Sequence, residues 1–269
     1  MAHYEANGVR LHVQELGEGS PVVVCIHGLG MDTLASFYFT LAAPLSEAGA
    51  RVITYDLRGH GRSDKPPTGY RFRDTVDDLL ALLDAMDIDE PVHLVGNSYG
   101  GCIAFGVAAA QPSRVASITL VESMPAFGEN WSAGIAYLFT GEIDGDHEDV
   151  EKHRRAVREE ILSQSNVPDG ARVDHMMKLS GQTLRRTGIA TELPWSAPNT
   201  EDEIRGVSCP VLGIFGSRSW MVPLAPVLRD VQPHARIEVI EGLGHFILAE
   251  ATKDVVGLVK EWVFEPSYA

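Results

Sequence analysis

Cysteine is scarce: three in 269 residues (Cys25, Cys102, Cys209), an odd number with no two closely spaced. That excludes a disulfide framework and a zinc-knuckle spacing. Cations are also in deficit, 22 Lys and Arg against 37 Asp and Glu, for a net charge of −15. Nucleic acid and anionic membrane both demand clustered cations, so neither is an expected partner. No apolar run approaches the ~20 residues of a bilayer-spanning helix. Met1 to Arg10 lacks a basic stretch leading into an apolar one, so no secretory leader is expected. Internal repeats and low-complexity tracts are missing too. The expectation is a soluble, cytoplasmic protein. What is present is ordinary globular composition, 45% apolar and 22% charged, in a chain long enough to bury a full core.

Apolar patterning predicts seven short strands. Val9 to Val13 alternates apolar and polar residues, as a half-buried strand does. Val22–Ile26, Val52–Tyr55, Val92–Val95, Ile118–Val121, Val211–Phe215 and Ile237–Ile240 are continuous apolar or β-branched runs, the mark of strands covered on both faces. Helical stretches separate them: Leu41–Glu47, Asp74–Met86, Tyr99–Ala110, Pro223–Val231 and Phe246–Phe264. On Asp74–Met86 the apolar face is Val76, Leu79, Leu80, Leu83 and Met86, with Asp74, Asp77 and Asp78 opposite. Strand–helix alternation with short connections means a parallel sheet between two helical layers. From 126 to 205 the rhythm stops. This stretch is charge-dense, helical in pattern, and carries Trp131, Tyr137, Phe139 and Trp195. It reads as a helical insertion over the carboxyl ends of the strands, where open α/β sheets bind ligands.

Gly96-Asn97-Ser98-Tyr99-Gly100 matches G-x-S-x-G between a predicted strand and a predicted helix. In that setting glycines permit a sharp turn that holds the serine hydroxyl above the sheet. His27-Gly28-Leu29-Gly30 follows the Val22–Ile26 run. Its glycines allow close backbone approach, so the Leu29 and Tyr99 N–H groups are candidate oxyanion donors. The His27 side chain itself is expected to be structural. A serine hydroxyl needs a neutral imidazole to take its proton. Of ten histidines, His245 alone stands after a late strand in a glycine-framed loop.

The HGLG turn, the YDLRGHGRSD loop at 55–64, the GNSYGG elbow and GLGHF at 242–246 together resemble α/β-hydrolase-fold proteins over essentially the whole chain. The resemblance implies an α/β-hydrolase fold: a mostly parallel eight-stranded sheet, helices on both faces and a helical cap. Core would span 1–125 and 206–269, with the cap at 126–205. It also implies the order nucleophile, acid, histidine, with His245 on the family's histidine. The acid departs from the commonest pattern. Many members carry an Asp shortly before a Val-Pro pair, where this chain has Ser219. Serine cannot hold the charge, so Ser219→Ala is expected to change activity little. The alternative family position is the end of the preceding strand, here Glu122, 24 residues after Ser98. That placement resembles the fungal zearalenone lactonases. Asp230 lies at the far end of the following helix, out of reach.

The expected chemistry is a serine hydrolase: Ser98 attacks, His245 shuttles the proton, Glu122 steadies the imidazole, and no cofactor or metal takes part. Trp131, Tyr137, Phe139, Trp195, Trp220 and Met221 are candidate pocket walls, favouring a small hydrophobic ester or lactone. Alternatives on the same fold are a thioesterase, a cofactor-free dioxygenase or lyase using the His–Glu dyad, and a ligand-sensing hydrolase-like protein. The acidic run Asp144, Asp146, His147, Glu148 and Asp149 lacks ordered ligand spacing and is expected to be a solvated face, not a metal site. Asp56, Arg58, Arg62 and Asp64 are expected to form a structural polar network. Oligomeric state stays open, a homodimer included.

Overall fold

Val22–Ile26 contains no polar residue apart from the thiol of Cys25, and it is buried along its whole length in the computed structural model of the protein. Val22, Val24 and Ile26 enter one apolar cluster while Val23 and Cys25 enter another. Successive side chains of a strand point to opposite faces, so this one strand feeds both cores. The structure describes residues 2–128, 131–135, 147–166 and 170–264. Its strands are β1 Ala2–Ala6, β2 Val9–Leu16, β3 Val22–Ile26, β4 Arg51–Tyr55, β5 Val92–Asn97, β6 Val115–Val121, β7 Val211–Gly216 and β8 Arg236–Ile240. They form a single sheet in the order β1-β2-β4-β3-β5-β6-β7-β8. Strand β2 runs antiparallel to both neighbours, and all pairs from β4 to β8 are parallel.

The eight-stranded α/β sheet is the architecture that the resemblance implies. Patterning alone misses β1, an edge strand with one buried residue. Its hairpin with β2 turns on Asn7-Gly8, both at positive φ, the turn whose twist suits paired strands. The helices Phe72–Ala85 and Tyr99–Ala110 cover one face. Thr252–Phe264 and the helical stretch through Ala43–Glu47 cover the other. The expected single helix Phe246–Phe264 is instead two, Ile247–Glu250 and Thr252–Phe264, because Ala251 leaves helical dihedrals (φ −126°, ψ 39°).

Between β6 and β7 the chain makes the helices His147–Ser163 and Gly170–Arg186 among shorter turns. The two ends of this stretch are tied together. Phe127 bridges Asn199, and the Asn199 backbone and side-chain N–H groups both donate to the Ala126 carbonyl at 3.1 Å.

Asp78 corrects one expectation. It is not on the wet face of its helix but buried, ion-paired to buried Arg58 and accepting from Asn7 at 3.0 Å. Arg58 also donates to the Gly69 carbonyl. The Asp74/Asp77 side stays solvated, so the apolar stripe is wider than the spacing suggests, and Arg58 makes that tolerable. Asp56, as expected, is a structural hub: its carboxylate accepts from Leu34 N, Arg62 N and His12 Nδ1.

Breaking a buried pair leaves an uncompensated charge. Arg58→Met is therefore expected to lower stability by about 3–5 kcal/mol, and the Arg58→Met/Asp78→Leu pair by much less. Urea unfolding measures both. A loss below about 1 kcal/mol for the single variant would show that Asp78 finds other solvation.

Candidate active site

Ser98 stands between β5 and the Tyr99–Ala110 helix at φ 50° and ψ −118°. A left-handed serine costs roughly 1–2 kcal/mol, and such strain is kept where it orients a functional side chain. Two glycines make the turn possible. A Cβ on Gly100 would come within 2.0 Å of the Ile26 carbonyl oxygen, and one on Gly96 within 2.3 Å of Gly101 N. The elbow is pinned to β6 by Ser98 N donating to Val121 O at 2.9 Å.

Beside it lies the turn after β3. Gly28 N donates to Asp32 Oδ2 at 2.9 Å and Gly30 N donates to His60 Nε2 at 2.8 Å. Among the described residues the Leu29 N–H between them has no acceptor. The Tyr99 N–H, first in its helix, has none within the helix. These are the two amides singled out as oxyanion donors.

Two histidines fix this turn. Leu57 N donates to His27 Nε2 at 2.9 Å, so the His27 proton is on Nδ1 and goes to Gly28 O at 2.7 Å. His60 repeats the pattern, accepting from Gly30 on Nε2 and donating from Nδ1 to Arg58 O at 2.9 Å. Burial pushes His60 down to about 3. It therefore stays neutral, as an acceptor must. The structural reading of His27 agrees with this geometry; the role of His60 leaves no mark in the sequence.

Glu122 follows β6. Its N–H continues the ladder to Ile214 O at 2.9 Å, then φ of 51° swings the side chain off the strand path. The residue is 0% exposed. Oε1 accepts from Gly216 N, and Oε2 accepts from Ser219 Oγ and from His245 Nδ1, the latter at 3.1 Å. Three donors satisfy a buried carboxylate that would otherwise be costly. Ser219, which offers no charge of its own, supplies one of the three through its hydroxyl. Asp230 is exposed and paired with Arg205, while the carboxylate on His245 is that of Glu122.

Trp220 stacks on His245, ring centroids 4.6 Å apart and planes 28° apart. Trp131 meets Phe72 edge-on, and Phe72 in turn meets Tyr99. Met221, Leu29 and Trp131 pack partly buried against one core cluster. Trp195 is a correction. It is 80% exposed and lines a surface depression of about 410 Å³ with Arg71, Arg73, Thr191, Glu192, Ser196 and Ala197, a set containing neither Ser98 nor His245. The short Leu193–Trp195 turn buries Leu193 and Pro194 and turns the indole outward. Tyr137, Phe139, Asp144 and Asp146 lie outside the described residues.

The inserted stretch also holds the loops that carry the site. Gln164 Oε1 accepts from Trp220 N at 3.1 Å. Asn166 accepts from Arg218 and donates to Gly242 O, and Glu250 accepts from Ser165 Oγ and Asn166 N. Spacing gives no hint of these contacts, which join residues 52 to 85 positions apart.

A family model described as alpha/beta hydrolase fold matches residues 21–252. A 2-hydroxymuconate semialdehyde hydrolase of Pseudomonas sp. (strain CF600) is 27% identical over an alignment of 281 positions, covering 98% of this chain and 94% of that one. The esterase RhEst1 from Rhodococcus sp. ECU1013 superposes with a TM-score of 0.78 at 23% identity, over 97% and 98% of the two chains. The enol-lactonase from Burkholderia xenovorans LB400 gives 0.74 at 22%, over 97% and 99%. The two structural likenesses establish shared fold.

Neutral His60 couples the turn to pH. Its folded value lies below the unfolded ~6.5, so its contribution is full above about pH 6.5 and is lost as pH falls toward 3. Chemical denaturation at pH 7, 6, 5 and 4 is expected to show stability falling through this window. His60→Gln, which removes the titration, is expected to flatten that slope; an unchanged slope would assign it to other groups.

Proposed function

The chain belongs to the α/β-hydrolase-fold family, and from that membership and the site geometry we propose that it is a serine hydrolase cleaving a carboxylic ester or lactone of a small hydrophobic substrate. The observation that carries this reading is the buried Glu122 carboxylate hydrogen-bonded to His245 Nδ1. A carboxylate there fixes the imidazole orientation and stabilises the imidazolium once it forms. His245 Nε2 is then the atom that takes the Ser98 proton as Oγ attacks the carbonyl carbon. The oxyanion is held by the Leu29 and Tyr99 N–H groups. Collapse expels the alcohol, which receives the proton from His245 and leaves an acyl-Ser98. Water, deprotonated by the same imidazole, releases the acid and restores the hydroxyl. When the substrate is a lactone, both products stay in one molecule. No cofactor enters any step.

The acid at the β6 end supports the resemblance to the fungal zearalenone lactonases. Trp220, stacked on His245, and Leu29, in the turn beside the elbow, supply apolar surface, which supports a hydrophobic substrate. The relative named as a hydrolase supports hydrolysis, and the esterase and enol-lactonase show that the shared fold can carry ester and lactone cleavage. The stretch 126–205 serves as the cap that shapes the pocket. Three unpaired cysteines suit a cytoplasmic setting. Among the described residues no helix is long and apolar enough to cross a membrane.

A panel of p-nitrophenyl esters and macrolactones, with oxygen consumption followed in parallel, tests the reading. Ser98→Ala is expected to lower kcat on the order of 10⁴–10⁶-fold without loss of folding, since a triad acts as a unit. Glu122→Gln is expected to lower it by roughly 10²–10⁴-fold. A fluorophosphonate is expected to label wild type at Ser98. Turnover with oxygen uptake that survives Ser98→Ala would replace this mechanism with base catalysis by the His–Glu dyad.

A further inference from the structure

We propose that Ser219, standing where many relatives of this fold carry the acid itself, is a positioning residue that aligns Glu122 with His245. The proposal rests on Glu122 being the acid of the triad. The geometry fixes the direction of the hydrogen bond. Met221 N donates to Ser219 Oγ at 3.0 Å, so one lone pair of that oxygen is already taken. Glu122 Oε2 has no proton to give when ionised, so the hydroxyl proton goes to it. Ser219 is itself buried, and Ser219 N donates to Gly216 O at 3.0 Å, closing a turn. The same turn presents Gly216 N–H to Oε1. One short turn therefore grips both oxygens of the carboxylate.

Both grips are needed. With Oε1 alone held, the carboxylate plane is free to rotate about its terminal bond, a torsion with broad wells. The second donor, on Oε2, sets the plane in which His245 Nδ1 must approach. Oε2 has room for both, since each carboxylate oxygen accepts two hydrogen bonds. The turn has no carboxylate of its own and acts as clamp for one supplied by the neighbouring strand.

A double-mutant cycle separates alignment of the acid from general damage to the loop. Ser219→Ala is expected to lower kcat by about 10- to 100-fold, the span of a hydrogen bond to a charged group, with KM within about twofold. Ser219→Thr, which keeps the hydroxyl, is expected to recover most of the loss. In the Glu122→Gln background Ser219→Ala is expected to cost less than about twofold, because no charge remains to be aligned. Equal losses in both backgrounds, or a loss carried by KM, would overturn the proposal. The low-field His245 Nδ1–H proton reads the same contact by NMR without turnover. It is expected to shift in Ser219→Ala and to persist in Ser219→Thr, and an unmoved resonance would also overturn the proposal. A responsive resonance in a protein inert toward esters would refute the hydrolase reading alone.

Discussion

A carboxylate withdrawn from water at the end of β6 sets the terms for everything around it. Ionised Glu122 without partners would cost several kcal/mol, so its presence obliges three donors to converge from two other parts of the chain. Gly216 and Ser219 come from the turn after β7, and His245 from the loop after β8. The strand order β6-β7-β8 puts those loops side by side at one end of the sheet. The parallel ladder is therefore what makes the histidine meet the acid, and the acid is what holds the histidine still.

The opposite side of Ser98 is organised by the reverse electrostatic choice. There the buried groups are neutral imidazoles, His27 and His60, each donating from Nδ1 and accepting on Nε2. His60 and Asp32 occupy the flanking amides of the Gly28–Gly30 turn and leave the middle one unclaimed. The proposed chemistry creates negative charge on a substrate oxygen beside that unclaimed amide. Donors with no competing acceptor are the preorganised kind that stabilise such an oxygen.

Much of this was legible in the sequence because it rests on short-range patterns. Buried strands read as apolar runs, the elbow as G-x-S-x-G, and the departure at Ser219 as a missing carboxylate in a recognisable loop. The strand β1 escaped because an edge strand needs no apolar face, although Asn7-Gly8 carried a hairpin signal. Asp78 escaped because a charged residue on a helix reads as wet unless its partner is known, and Arg58 lies 20 residues away across a loop. Ser219, His60 and the Gln164–Asn166 contacts escaped for the same reason: a hydrogen bond between distant positions leaves no periodicity. Trp195 shows the converse, an aromatic residue that looks like pocket lining and points outward.

The tie between Ala126 and Asn199 has a consequence for how this chain can diversify. The inserted stretch leaves the sheet and returns to it at neighbouring points that are hydrogen-bonded to each other. Closing a loop grows more expensive only logarithmically with its length, about 0.6 kcal/mol per doubling. Changes of length between those two residues leave strand register untouched, whereas exchange of Gln164–Asn166 or of Ile189–Leu193 would remove contacts to the site loops and the core. The enclosed segment is thus cheap to lengthen or shorten at its free turns, but the part that braces the Trp220 and His245 loops has to be kept with them.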